Sequence, residues 1–466
     1  MDIVAAIAEI NRHINGVVWG PVMLALLTGA GVYFTVGTGL FPIAQARLWV
    51  KNTLGRLFTR ARAESGAVTP FQAFTTAMAA TAGTGNLVGV ATAIVAGGPG
   101  ALLWMWVSGF FGMMTKFAEI VLAIRYRERN ARGEWVGGPM YYIVKGLGTR
   151  FRWLAAAFAA FGAVCAFGIG NMTQINAIAG TSEAMLRGLG VIAPGDGTLV
   201  FRLALGAGLA AVVMLVIMGG SRRIGEATEA LVPFIGLLTI AGCVVALILK
   251  ADRLGAAFGM IFRGAFNIKA AGGGALGYTM ARAVRFGVAR GVFTNEAGLG
   301  SAPIAHAAAD TAHPVRQGMW GIFEVFADTL VMCTLSGLVI LTSGMFTGET
   351  GLNGAALMSA AFHASFGVPG TIFLTVSVLI FAYCTTLSWS LYGQRCFEYL
   401  FKGKGLRAYR LAFSLAVLAA AIIRLELAWD IADTLNGLMA VPNLIALLAL
   451  SPEVFCLTKE FLHKQA

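Results

Sequence analysis

Apolar residues run along this chain in long stretches separated by short polar connections. A helix that crosses a bilayer needs about 20 predominantly apolar residues. Eleven stretches meet or approach that length: 14–36, 69–96, 101–124, 153–177, 199–218, 225–249, 271–309, 315–341, 369–391, 409–423 and 429–450. They are numbered segments 1 to 11 in chain order. The pattern predicts an all-α polytopic membrane protein with eleven transmembrane helices. No long polar tract interrupts the series, so residues 1–466 are expected to form a single membrane domain.

Composition strengthens this reading. The chain is 58% hydrophobic and only 12% charged, and its mean hydropathy is +0.78. Soluble domains carry about a quarter charged residues, so too few charges remain to coat a water-facing surface. The 60 glycines suit helices that must approach one another closely in lipid.

The net charge of +12 would suit a nucleic-acid binder, but the basic residues sit in the short connections. The densest group is Arg125, Arg127, Arg129, Arg132, Lys145, Arg150 and Arg152, between segments 3 and 4. Lysine and arginine mark cytoplasmic loops, which places the N-terminus outside and the C-terminus in the cytoplasm and requires an odd number of crossings. The six cysteines are scattered without a CxxC pair, so neither a metal centre nor a disulfide framework is indicated. The first 20 residues carry Asp2 and Glu9 and lack the basic start of a cleaved signal peptide.

Two segments are not ordinary spans. Segment 2 places Gly83 and Gly85 near its middle, interleaved with Thr81, Thr84 and Asn86. Segment 7 carries Gly287, Gly291, Gly298, Gly300 and Pro303 around Asn295 and Glu296. Glycine weakens a helix by about 1 kcal/mol relative to alanine. A single GxG in a membrane helix also reads as a packing notch. Two such interruptions five segments apart point instead to unwound helices at a transport site, where freed backbone groups can hold ions and a substrate. Segments 2–6 and 7–11 then form two runs of five, and an odd run length inverts the second relative to the first. The expected division is an extra first helix at 14–36, a first repeat at 69–249 and a second at 270–450.

Three stretches carry a family resemblance: AGTGNLVGVATAIVAGGPGALLWMW (82–106), RGVFTNEAGLGSAPIAHAAADTAHPVRQG (290–318) and TTLSWSLYGQRCFEYLF (385–401). They resemble the signatures of the alanine or glycine:cation symporters, and the resemblance extends over nearly the whole chain. That family belongs to the leucine-transporter structural class, with ten core helices in two inverted repeats. The resemblance implies sodium-coupled symport of a small neutral amino acid, with Na+ as the coupling ion and no other cofactor. It also implies residence in a bacterial inner membrane, with a monomer as the expected state.

The resemblance further implies site residues. The amides of Thr84 and Gly85 would hold the substrate carboxylate, and Gln174, Phe293, Thr294 and Trp389 would contact the substrate. One sodium position maps to Thr81 and Asn86. A second maps to the carbonyls of Ala79 and Ala82 with Ala382, Thr385 and Thr386, whose i, i+3, i+4 spacing puts all three on one helix face. Each residue also has a plainer reading: the threonines as bonded back to their own helix, Gln174 as interhelical glue, Trp389 as a packing aromatic. Thr294 replaces a serine of the family pattern, keeping the hydroxyl and narrowing the room. Ser388 stands where the pattern has glycine, which a small substrate tolerates better than a glutamine-sized one.

Charges inside apolar segments are functional candidates by default. Lys116 and Glu119, three residues apart, are expected to pair as a structural unit. Glu324 and Asp328 share a helix face and repel, so one is either protonated or neutralised by an arginine, and Asp328 is a candidate cation contact. Arg290 and Glu296 flank the break in segment 7 and could clamp it. Part of 269–277 is expected to be a loop or re-entrant turn. His306 and His313 read as loop or cap residues. Without an HExxH or GxSxG motif an enzyme is not expected. Proton coupling and a preference for serine or glutamine remain alternatives on the same fold.

Overall fold

Thr69 and Pro70 start segment 2 with a reciprocal cap. The Thr69 hydroxyl accepts the Gln72 amide at 3.1 Å, and the Gln72 side-chain oxygen accepts the Thr69 amide at 3.1 Å. Pro70 takes the first helical position, where its missing N–H costs nothing. The helix runs Pro70–Thr81 and stops before Gly83. It resumes through a π-helical turn, Gly85–Gly89, into Val90–Gly97, with its axis bent by 44°. The break predicted from the glycines is therefore present at the predicted residues.

The computed structural model describes residues 3–56, 64–192, 198–266, 280–346, 351–422 and 426–464. Among them, eight helices are long and apolar enough to cross a membrane, or nine when the bent pair in segment 2 counts as one span. Segments 7 and 10 are shorter. Segment 7 comprises Met280–Asn295, of 16 residues, and Ala302–His306, of five, while segment 10 is the 17-residue helix Leu406–Ile422. Segment 4 is longer than its apolar stretch suggests, Thr149–Gly188, because a π-helical turn at Gly168–Met172 carries it on. The loop or re-entrant turn expected within 269–277 lies outside the described residues.

Segments 3, 7 and 8 pack together, the first half of segment 2 lies against segments 6, 7, 8 and 9, and segments 4, 9 and 11 form a second group that segments 5 and 10 extend. Small residues permit the closest approaches. A Cβ on Gly287 would lie 2.4 Å from the Ala101 carbonyl oxygen, and one on Gly291 would lie 2.9 Å from the Ser108 side chain, so segment 7 meets segment 3 nearly backbone to backbone. Segments 5 and 6 turn Leu203, Val212, Leu215, Phe234, Leu237 and Ile248 outward, each exposed on the protein surface. Such a continuous apolar face is costly in water and costs nothing in hydrocarbon.

Polar connections close one end. A two-stranded hairpin, Glu128–Arg129 with Trp135–Val136, joins segments 3 and 4. Its Glu134 binds Arg395 of segment 9 at 2.9 Å. His313 caps the first helix of segment 8 by accepting the Val315 amide at 3.2 Å, as expected for a cap residue. A final helix, Ser451–His463, lies against the ends of segments 3 and 8.

Candidate functional site

The break in segment 2 removes the amide that would otherwise bond to Ala79. The Gly83 N–H goes instead to the Asn86 side-chain oxygen at 2.9 Å. The freed Ala79 carbonyl accepts the Thr385 hydroxyl of segment 9 at 2.8 Å, while Thr385 also reaches the Phe381 carbonyl at 3.0 Å. A Cβ at position 83 would sit 2.8 Å from the Thr385 oxygen; glycine is what lets the two helices meet there. Thr386, one residue on, donates to the Ala382 carbonyl of its own helix at 2.9 Å.

A cavity of about 20 Å³ lies between the two breaks, lined by Thr81, Thr84, Gly85, Gln174, Phe293, Thr294, Thr385 and Trp389 among others. All six residues expected to touch a substrate are thus brought together from segments 2, 4, 7 and 9. Thr84 donates to the Gln174 side-chain oxygen at 3.2 Å, closing the space between segments 2 and 4. Trp389 is fully buried and packs so closely on segment 4 that a Cβ on Gly170 would overlap it. A volume of this size holds about one water molecule, so an amino acid enters only when the surrounding helices move apart.

Of the expected sodium residues, Thr81 and Thr385 line the cavity and the Ala79 carbonyl touches Thr385. Asn86, Ala82, Ala382 and Thr386 are not among the cavity's lining residues. Asn86 is fully buried and donates to Asp328 of segment 8 twice, at 2.7 Å to the carboxylate and 3.0 Å to the carbonyl. Thr329 bonds the other Asp328 oxygen at 2.9 Å, and Asn295 of segment 7 donates to Thr329 at 3.2 Å. A buried polar chain therefore connects the two breaks through segment 8.

Five expectations need correction. Lys116 pairs with Glu324 at 3.1 Å, not with Glu119. Glu324 is thus neutralised by a lysine rather than an arginine, because segment 3 and not a loop faces it. His306 is no loop residue. It is fully buried, with one ring nitrogen 3.2 Å from Glu324 and the other 2.8 Å from the Gln317 amide. Arg290 and Glu296 do not clamp the break: Arg290 lies over the Phe293 ring, 5.4 Å from its centroid, while Glu296 accepts the Ser301 hydroxyl at 2.5 Å. Ser388 donates to the Thr76 carbonyl at 2.5 Å and is not among the cavity residues, so it does not narrow the site.

The break in segment 7, residues 296–301, is held differently. Glu296, Gly298 and Gly300 all have positive φ, at 54°, 91° and 80°. Their reversed peptides direct the Gly298 and Gly300 amides at one oxygen of Glu119, both at 3.0 Å. Asn443 of segment 11 donates to that same oxygen at 2.6 Å and to the Gly298 carbonyl at 2.9 Å. Glu119 thus serves the backbone, a role that spacing along one helix could not reveal. Asn436, also on segment 11, lines the cavity and went unnoticed in the sequence. The available signal was two amides seven residues apart, Asn436 and Asn443, in an otherwise apolar segment.

Comparison with known proteins agrees with this geometry. A profile described as the sodium:alanine symporter family matches residues 4–466. The chain is 46% identical to the sodium/alanine symporter AgcS of Methanococcus maripaludis, over 99% of this chain and 98% of that one. It is 35% identical to a probable sodium/glutamine symporter, GlnT, of Bacillus subtilis, over 98% and 92% of the two chains. Among solved structures it shares the fold of MhsT in complex with L-phenylalanine, with a TM-score of 0.55 and 14% identity over 82% of this chain and 89% of the other.

Proposed function

The chain belongs to the sodium:alanine symporter family, and on that premise we propose that it carries a small neutral amino acid, alanine or glycine, into the cell together with Na+. The supporting observation is the convergence of Thr84, Gly85, Gln174, Phe293, Thr294 and Trp389 on one closed cavity between two helix breaks. In this reading the helix start at Thr84 and Gly85 offers N–H groups to the substrate carboxylate. The Ala79 carbonyl, the Thr385 hydroxyl and the nearby Thr81 offer oxygens to sodium, with Ala82, Asn86, Ala382 and Thr386 supporting the two ion positions.

The mechanism is alternating access. Sodium replaces the hydroxyl that now satisfies Ala79 and orders the break in segment 2; the zwitterion then binds and the helix group of segments 2, 3, 7 and 8 rocks against the rest. One unit charge crossing the membrane gains about 2.3 kcal/mol per 100 mV, enough for more than tenfold accumulation. The reading includes eleven crossings, with two inverted repeats at 69–249 and 270–450 after an extra helix at 14–36. It also includes a bacterial inner-membrane location, the N-terminus outside, the C-terminus in the cytoplasm, and a monomer in the lipid bilayer. The 35% identical probable glutamine symporter supports a second reading, in which the pocket widens to admit glutamine.

The test is uptake of labelled L-alanine into proteoliposomes under an inward sodium gradient, with potassium and proton gradients as controls. Accumulation that requires sodium supports the proposal. Uptake driven only by a proton gradient discards the coupling ion. Glutamine outcompeting alanine selects the second reading.

A further inference from the structure

The cavity has two chemically different ends. At segment 2 the lining offers donors, the amides of a helix that restarts at Thr84 with no turn before it. At segments 7 and 11 it offers acceptors. Glu296 is the only charged side chain in the lining and is 4% exposed. Its carboxylate accepts the Ser301 hydroxyl at 2.5 Å, and the Trp389 indole is its other hydrogen-bonding neighbour. None of the ion pairs among the described residues includes it, since Lys116 is committed to Glu324 at 3.1 Å. Asn436 is 1% exposed, and its side-chain oxygen has no hydrogen-bond partner.

A buried carboxylate without a direct cation and a buried amide oxygen without a donor are both costly states. Both line the same cavity, and a positively charged hydrogen-bond donor would relieve both. A bare hard cation collects about six oxygens, more than this pair supplies. A primary ammonium brings three N–H donors of its own and needs only acceptors. The backbone supports the placement: Glu296 holds a left-handed conformation that non-glycine residues rarely adopt, φ 54°, of the kind that persists at functional sites where surrounding contacts enforce it.

We propose that Glu296 and Asn436 form the ammonium-binding end of the transport site. Glu296 neutralises the α-ammonium of the substrate and Asn436 accepts one of its hydrogens, while the carboxylate points to Thr84 and Gly85. This rests on the cavity being the transport site. It makes the protein selective for amino acids over hydroxy acids of the same skeleton through a charge on segment 7.

The test compares L-alanine with L-lactate, which replaces the ammonium by a hydroxyl, as competitors of labelled alanine uptake by the full chain in proteoliposomes. Wild-type uptake is measured first; no uptake of any amino acid overturns the transport reading and this inference with it. Given uptake, Glu296→Gln should lower the preference for alanine over lactate by at least about tenfold, since a site built to bond a polar group discriminates strongly through it. Glu296→Asp should recover part of that loss. Stabilisation of the purified variant by sodium alone, read as a melting shift in detergent, should match wild type. An unchanged alanine-to-lactate ratio in Glu296→Gln, within twofold, overturns the ammonium site and leaves the transport function standing. So does loss of the sodium response with the ratio intact, which would assign Glu296 to the ion. If Glu296→Gln does not fold, Asn436→Ala decides: a fall of about fivefold in the ratio supports the site, and no change overturns it.

Discussion

The two helix breaks lie on either side of one cavity and are built on opposite principles. In segment 7 the reversed peptides of residues 296–301 are tied by Glu119 and Asn443, side chains that bond the backbone directly, with Asn443 itself held by the Tyr142 hydroxyl. In segment 2 the freed Ala79 carbonyl is met by the hydroxyl of Thr385, which has a second acceptor in its own helix at Phe381. The first break is satisfied by a charge that nothing can replace cheaply. The second is satisfied by a neutral hydroxyl that can turn away at little cost. A rigid break can hold a site in shape, and an exchangeable one can bind and release an ion; a symporter needs both.

The largest effect that this contrast predicts is on stability. Glu119→Ala leaves two buried amides without their acceptor and takes one of two acceptors from Asn443, each unsatisfied group costing about 1–3 kcal/mol. The variant should lose about 3–5 kcal/mol and melt far earlier in detergent, whether or not sodium is present. A melting curve like that of wild type would show the segment 7 break to be as replaceable as the other.

Thr385→Ala should behave in the opposite way. Its melting point should stay within a few degrees of wild type, while half-saturation by sodium rises about tenfold, the loss of roughly 1.4 kcal/mol of ion binding. Thr386→Ala sharpens the comparison. Its hydroxyl is engaged with Ala382, so alone it should shift sodium half-saturation by less than about twofold, a difference near the limit of one weak hydrogen bond. Equal effects of the two substitutions would return both threonines to the ion.

Glycine substitutions give a third measure. Gly83→Ala brings a methyl group to 2.8 Å from the Thr385 oxygen, whereas a Cβ at Gly89 meets nothing within 4 Å. Sodium-dependent uptake should be lost in the first and kept in the second. Comparable uptake by both would remove the close approach of segments 2 and 9 from the mechanism.

The smallest expected effect lies outside the membrane-spanning segments, at the hairpin. Burial alone pushes the Glu134 carboxyl up, but the Arg395 guanidinium outweighs burial and holds it below the ordinary carboxylate value, helped by Arg132 and Asn130. A depressed pKa contributes stability above the unfolded value and loses it as pH falls through the folded one. Acidification should therefore destabilise wild type more than Glu134→Gln, by about 1 kcal/mol or less for a partly exposed pair. Parallel acid melting curves would remove this link from the account.

Much of this was legible along the chain because the signals are local. Hydropathy over about 20 residues reports burial in lipid whatever the neighbours are, and a glycine pair in an apolar run reports a weak helix wherever it occurs. Thr81, Gly83, Thr84 and Gly85 could thus be placed at a break, and the resemblance to one family implied Gln174 and Trp389 as their companions at the site. Apart from His306, which was read as a loop or cap residue and is buried, the errors were azimuthal. Lys116 and Glu119 are neighbours on one helix, yet they face different partners, Glu324 and the segment 7 break. Ser388 precedes Trp389 and points away from the cavity that Trp389 lines.

The sequence by itself determined that this is a helical membrane protein broken at two points, and which residues carry the breaks. Only the tertiary structure decided what meets those breaks: Thr385 at one, Glu119 and Asn443 at the other, Glu296 and Asn436 across the space between. Hydropathy and backbone freedom belong to a residue and its immediate neighbours. The direction a side chain faces across a helix interface belongs to the packing of every helix at once, and no window along the chain contains it.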